Sequence, residues 1–442
     1  MHPAQNRVLS VDVLRGLTIA LMILVNDPGD WTHTYAQLDH AKWNGFTLTD
    51  LVFPNFLFIV GASIIFSLES RLARGCSKRE LALHMFRRAF VIFAIKMFLT
   101  AFPHFHMTHL RIFGVLTRIA LCYLAAGLIC LVTRRKLTLG IVAAVLLIGY
   151  WVLMRFVPVP GLAVASPSDA IPTHGIPILD PEHNLAAWLD RVFNAFTIRF
   201  LHTGVLYNRT HDPEGLLSTL PAIATTLIGC ITGLYLRRSS AIAPFARHSV
   251  SQQRGEEGAV SLGSAVGADE VANASALSAP ARTTLVLIAS ALLCCLGGLL
   301  WNPYFPINKN LWTSSYVLYS AGWSLVLLAA CYWFIDVRRL NEHRAGKWLL
   351  WPWLVFGSNA ITAFVLSNFI VEVMAWIRVP AGALVYPMAP TVKISAWMWT
   401  YRHLFARHSS TDVTSLAFAV CYTAFCFLPV WILWRRRIFL KV

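Results

Sequence analysis

Residues 26–56 read NDPGDWTHTYAQLDHAKWNGFTLTDLVFPNF, a polar and aromatic-rich loop set between two apolar runs. The run before it, from about residue 13, and the run after it, from about residue 48, are each long enough to cross a bilayer as a helix. The loop therefore stands at the mouth of a membrane bundle. A plain connector has no need of Asn26, His40, Trp43, Asn44 and Asp50 there, because polar and titratable groups near membrane depth are costly and mark candidate functional positions.

Working outward, the same apolar pattern recurs along the chain. Hydrophobic residues make up 57% and charged residues 13%, about half the roughly 25% charged content of a soluble domain. The expected fold class is all-α: a polytopic transmembrane helical bundle of ten spans. These are placed at about 13–29, 48–68, 86–103, 112–132, 138–157, 215–236, 283–301, 314–335, 348–370 and 413–434. The first resembles a signal peptide in length. No small-residue cleavage site follows it, and its apolar core runs on into Asn26, so it is expected to be retained.

The net charge is +16, yet the Lys and Arg residues do not form a single patch, which argues against a nucleic-acid partner. They cluster between apolar runs at alternate loops, including Arg71 to Arg88, Arg134 to Lys136, Arg237 and Arg238, Arg338 to Lys347, and Arg435 to Lys441. The positive-inside bias then places both termini in the cytoplasm and the 26–50 loop on the outer side. Three segments are read from this pattern. Residues 1–238 form a first half of six spans, 239–281 a Ser/Ala/Gly-rich cytoplasmic linker too poor in large apolar residues to fold, and 282–442 a second half of four spans. Short helices outside the membrane are expected around 184–202 and 395–405.

The chemistry of the loop has two readings. His40 can act as a general base near neutral pH, with Asp50 to orient it and the Asn26 amide to hold a carbonyl. Equally, His40 can be a solvated loop histidine, Asn26 a helix end beside Pro28 and Gly29, and Asp50 an N-cap residue. Pro54 has no N–H for the Asp50 carbonyl four residues back, which leaves that carbonyl free. Trp31, Tyr35 and Trp43 suit either sugar stacking or an interfacial belt. His104, His106 and His109 lack the spacing of a helical ligand pair and have no neighbouring carboxylate, so a loop without metal is expected.

The stretches SVDVLRGLTIALMILVN (10–26) and DHAKWNGFTLTDLVFPNFLFIVG (39–61) resemble the catalytic domain of heparan-α-glucosaminide N-acetyltransferases and their bacterial transmembrane relatives. LRIFGVLTRIALCYL (110–124), DPEGLLSTLPAI (212–223), NKNLWTSSYVLYSAGW (308–323), GSNAI (357–361) and WRRRIFLKV (434–442) extend the resemblance in order along the chain. The chain departs from the animal members in its long Ser/Ala-rich stretch and in starting without their additional lumenal domain and first helix.

The resemblance implies acetyl transfer from acetyl-CoA to the amine of a small amino-sugar acceptor, a glucosamine unit on the extracytoplasmic side. It also implies a homodimer in the lipid bilayer, here a bacterial inner membrane, with His40 and Asn26 as the catalytic pair; Asp50 joins them as a catalytic candidate from its own place at the helix start. The phosphates of acetyl-CoA, the co-substrate, call for basic residues, for which Arg15, Arg88 and Arg118 are the candidates. Trp43, Asn44, Lys309, Asn310, Trp312 and Asn359 are the candidates for acceptor binding. An arginine inside a span needs a partner or a cavity, so Arg118 also reads as half of an ion pair with an acid such as Asp12 or Glu214. The competing functions are an amino-sugar permease, expected to show paired broken helices in two similar halves, and a membrane O-acyltransferase for a surface polysaccharide.

Overall fold

The computed structural model describes residues 8–160, 179–256, 279–381 and 392–440, with 239–256 and 279 described by backbone alone. The order of elements is α1 (Leu9–Asn26), α2 (Leu48–Leu72), α3 (Lys78–Ala101), α4 (Val115–Val132), α5 (Lys136–Phe156), α6 (Leu185–Leu201), α7 (Thr219–Glu256), α8 (Ala279–Trp301), α9 (Ser314–Tyr332), α10 (Arg344–Ser358), α11 (Ala360–Trp376), a two-stranded antiparallel hairpin (Arg378–Pro380 with Lys393–Ser395), α12 (Ala396–Leu404) and α13 (Asp412–Arg435). The chain is an all-α polytopic membrane protein.

Among the described residues, eight helices are long and apolar enough to cross a membrane, and α10 with α11 makes a ninth if the pair is one span. That pair is broken at Asn359, whose backbone leaves the helical region (φ −130, ψ 44), and the two helices meet at 78°. The sequence pattern had read it as one continuous span. The remaining expected span is α3, a helix of 24 residues. It carries Lys78, Arg79, Glu80, Arg87, Arg88 and Lys96 and falls short of the composition of the others. The helix of the sixth span continues past Arg238 to Glu256, into the stretch expected as a linker; residues 257–278 lie outside the described residues. The short helices expected near 184–202 and 395–405 are α6 and α12.

Helices α1 and α2 form the centre. The most apolar window of α2 is 78% buried, against 28% in α5, α8 and α13, which lie at the rim. Helix α1 packs on α2, α9, α10, α11 and α13, and α2 also packs on α4, α7 and α9. Both crossings of the centre with its largest neighbours use glycine. Gly61 of α2 faces the backbone of Thr226 and Cys230 in α7, where Gly229 faces Phe58 in return, and Gly16 of α1 meets Trp353 and Gly357 of α10. Small residues let the backbones approach where lipid gives helices no hydrophobic reason to associate. A buried hydrogen bond from Asn55 to Thr18 (2.7 Å) joins α1 to α2.

The elements that begin or end near the 26–47 loop come together at one end of the bundle. Gly29 donates to the carbonyl of Ser415 at the start of α13 (3.4 Å), and the buried Tyr401 of α12 lies against Gly29 and Phe418. Asp30 accepts from Ser410 (2.6 Å) and Thr32, which ties the loop to the same corner. At Gly61 any added side chain meets α7 backbone rather than a yielding side chain. Gly61→Leu is therefore expected to destabilise the detergent-solubilised protein by at least about 1–3 kcal/mol, the usual cost of overpacking. Thermal unfolding followed by size-exclusion chromatography measures this.

Candidate functional site

The site starts at the first turn of α2. Thr47 stands at its N-cap and Asp50 three residues on, a capping-box spacing. The Asp50 carboxylate is buried, with 1% of the residue exposed. Its Oδ2 accepts from Thr47 N (3.1 Å), Thr47 Oγ (3.1 Å) and Ala41 N (3.2 Å). Its Oδ1 lies 2.7 Å from Nδ1 of His40. The two readings of Asp50 from sequence are therefore one arrangement, since the residue caps the helix with one oxygen and holds the imidazole with the other. Three donors on one oxygen favour the charged carboxylate, which assigns the His40 proton to Nδ1. Nε2 is left as the acceptor, and it lies 3.2 Å from Nζ of Lys309.

The backbone carbonyl of Asp50, left without a helical partner by Pro54, accepts from the hydroxyl of Tyr316 in α9 at 2.6 Å. Tyr316 is fully buried, and its ring meets Trp312 and Phe46. The segment before α9 forms the opposite wall. Asn308 donates to Asn44 (3.1 Å), accepts from Leu311 N (2.9 Å), and takes its own N–H to Thr313 (3.1 Å). Gly45, at φ +126, donates to the Ile307 carbonyl (2.9 Å). Trp312 closes a tight turn by donating to the carbonyl of Lys309 (3.1 Å) with φ +52. The backbone that carries Lys309 is thus held on both sides while its side chain reaches His40.

Charged groups gather behind this wall. Arg111 makes a bidentate pair with Asp212 (2.7 and 2.7 Å) and bonds Glu214 (2.7 Å). Burial alone would raise the Asp212 carboxyl, but the Arg111 guanidinium holds it below the usual range. Burial of Asp190 in α6 pushes its carboxyl up to about 7, against donation from the Leu216 and Asp212 amides. Lys309 is lowered by burial, with Glu214 and Asp50 opposing that and Arg118 and Arg111 adding to it.

Arg118, fully buried at the start of α4, lies over the Trp312 ring at 4.9 Å and donates to the Gly215 carbonyl (3.2 Å) and to Ser218. Its Nε and Nη1 find no partner among the described residues.

The other residues expected from sequence separate into those at the site and those away from it. Trp43 is fixed by its indole N–H on the Leu179 carbonyl (2.8 Å) and by an edge-on contact with His211. Asn310 lies half-buried beside Lys309. Trp312 is 1% exposed and packs beneath the site, where Phe53, Tyr316 and Arg118 enclose it.

Asn26 ends α1 exposed, and the hydrogen bonds of His40 go to Asp50 and Lys309 rather than to its amide. Arg15 pairs with Asp12 (3.1 Å) and bonds Ser63 and Gly357, while Arg88 lies over Tyr123, so the three arginines form no common patch. The acids proposed as Arg118 partners pair elsewhere, Asp12 with Arg15 and Glu214 with Arg111. Asn359 is taken from both sides by the C-terminal tail. It donates to Ile438 (3.1 Å) and accepts from Leu440 (2.9 Å) at the end of the bundle where α13 finishes.

Tyr316, Asn308 and the Arg111–Asp212–Glu214 cluster were not singled out from sequence. The one available signal was the free Asp50 carbonyl, which required a donor from somewhere. Tyr316→Phe removes that donor from a buried acceptor and is expected to cost about 1–3 kcal/mol of stability, read as a lower melting temperature with the chain still folded.

A family model described as heparan-alpha-glucosaminide N-acetyltransferase, catalytic, matches residues 7–253. Human heparan-alpha-glucosaminide N-acetyltransferase is 28% identical over 401 residues, covering 81% of this chain and 52% of that protein. The mouse protein of the same name is 27% identical over 402 residues, covering 81% and 53%. The chain thus spans about half the length of the curated relatives it matches. With His40, Asp50 and Arg118 all inside a family match that covers more than half of its residues, the chain belongs to the heparan-alpha-glucosaminide N-acetyltransferase catalytic-domain family.

Proposed function

We propose that this protein is a transmembrane acetyltransferase that moves acetyl from acetyl-CoA to the amine of a glucosamine-type sugar on the extracytoplasmic side of a bacterial inner membrane. The observation that carries the reading is the 2.7 Å contact between His40 Nδ1 and the buried Asp50 carboxylate at the open end of the bundle. With the proton on Nδ1, Nε2 is the basic nitrogen, and it faces Lys309 of the opposite wall. A carboxylate on one ring nitrogen orients the imidazole and stabilises the imidazolium that forms when the other takes a proton.

In the proposed reaction the acceptor amine attacks the thioester carbonyl carbon while His40 Nε2 takes the amine proton. The C–S bond breaks, and CoA leaves as the thiolate and is then protonated. Asn26, at the end of α1, is the proposed donor to the carbonyl oxygen, and the two unfilled nitrogens of Arg118 are proposed to meet an anionic or carbonyl group of the donor. Arg15 and Arg88 stay as proposed phosphate contacts. Trp43, Asn44 and Asn310 border the mouth where the acceptor enters. Direct attack is favoured over an acetyl-histidine stage, since the base and the proposed carbonyl donor then suffice in one step. The broken span α10–α11 is the feature a carrier would share. Its polar residue, Asn359, is filled by tail backbone instead of facing a passage.

The test is transfer of labelled acetyl from acetyl-CoA to glucosamine, glucosamine oligomers and muropeptide sugars by the purified protein. Loss of a general base costs about 10²–10⁴-fold. His40→Ala is expected to fall by that factor and Asp50→Asn by a smaller one, with both still eluting as folded protein. Wild-type turnover by His40→Ala rules out the assigned base, and no transfer by the unaltered protein to any amine rules out the reaction.

A further inference from the structure

In the free protein the lone pair that the reaction needs is already occupied. Nδ1 of His40 gives its proton to Asp50, so Nε2 carries the lone pair, and Lys309 Nζ lies 3.2 Å from it. An amine or a water that is to lose a proton to His40 must reach that same nitrogen. The backbone of Lys309 cannot swing away, because Trp312 N–H holds its carbonyl and the Asn308–Asn44 bond anchors the residue before it. The side chain has a flexible four-carbon stem, so the ammonium can leave the ring while the backbone stays in place.

Resting on the acetyl-transfer reading above, we infer that Lys309 is a latch on the base: it fills Nε2 until an acceptor displaces it, and so keeps His40 from activating water against the bound thioester. A base left open beside a thioester removes a proton from water. The resulting hydroxide adds to the carbonyl, the C–S bond breaks, and acetate and CoA are released. An acceptor amine that takes the lone pair from Lys309 directs the same base to transfer. Lys309 is in this view a positioning residue, acting through His40 and not on the acetyl group.

The experiment compares the full-length protein in detergent with Lys309→Met and Lys309→Arg. The first readout is carbethoxylation of His40 by diethylpyrocarbonate, followed by peptide mass spectrometry with no CoA or sugar present. The reagent needs a free ring lone pair, and exposed His109 serves as the internal reference. Loss of one charge-assisted hydrogen bond on the lone pair should speed His40 labelling about ten-fold in Lys309→Met, while Lys309→Arg, which keeps a donor, stays near the unaltered protein. The second readout is acetate release from acetyl-CoA without acceptor, expected to rise about ten-fold relative to transfer in Lys309→Met and to return to the low level in Lys309→Arg.

Equal His40 labelling in Lys309→Met and the unaltered protein overturns the latch. So does faster labelling with no rise in acetate release from a protein that transfers acetyl. A protein that transfers acetyl to no amine overturns the proposed function, and the labelling comparison still decides whether Lys309 closes the base. If Lys309→Met does not elute as the unaltered protein does, Lys309→Leu, which also lacks a donor, takes its place in both readouts.

Discussion

One buried carboxylate holds this end of the molecule together. Asp50 satisfies backbone donors at the start of α2, fixes the His40 ring, and through its own main-chain carbonyl receives the hydroxyl of Tyr316 from α9. A charge in so apolar a setting is tolerable only when every oxygen is met by donors, because an uncompensated one is very costly. That requirement explains why the loop from Thr47 back to His40 folds over the helix end. The main-chain carbonyl that Pro54 leaves open has a separate need for a donor, and Tyr316 of α9, from the second half of the chain, supplies it.

The polar mouth is therefore shared between the two halves. The first supplies His40, Asn44 and Gly45, and the second supplies Lys309, Asn308 and Ile307, joined by hydrogen bonds across the gap. Beneath them Trp312 forms a buried floor, with Arg118 stacked against it and the Arg111 ion pairs behind. The close crossings at Gly61 and Gly16 bring α7 against α2 and α10 against α1. A lipid-embedded bundle gains little from burying apolar surface between helices, so such close contacts and internal hydrogen bonds carry its specificity.

Much of this was legible along the chain. The bilayer fixes a minimum run of apolar residues for each span, so composition alone located nearly every helix. The exceptions are instructive. Helix α3 carries charges within its expected span, and the GSN break that divides α10 from α11 lies inside an unbroken apolar run. Pro54 leaves the Asp50 carbonyl in need of a donor, and the Tyr316 hydroxyl supplies it. Trp312 and Asn359 each left two readings open from sequence, and the structure supplies their neighbours, a buried aromatic cluster for one and tail backbone for the other. A lone polar or aromatic residue in or beside a span reads the same whether it faces a mouth, a floor or a passing tail.

The sequence by itself determined the class of fold, the span that carries each motif and the spacing that puts Asp50 at a helix start near His40, because hydropathy, proline chemistry and capping are local. Only the tertiary structure decided what lies on the other side of the imidazole. Lys309 is 269 positions from His40, and nothing in either segment fixes the approach of two helices from different halves. That approach is set by which glycines and buried polar groups find each other once the bundle closes.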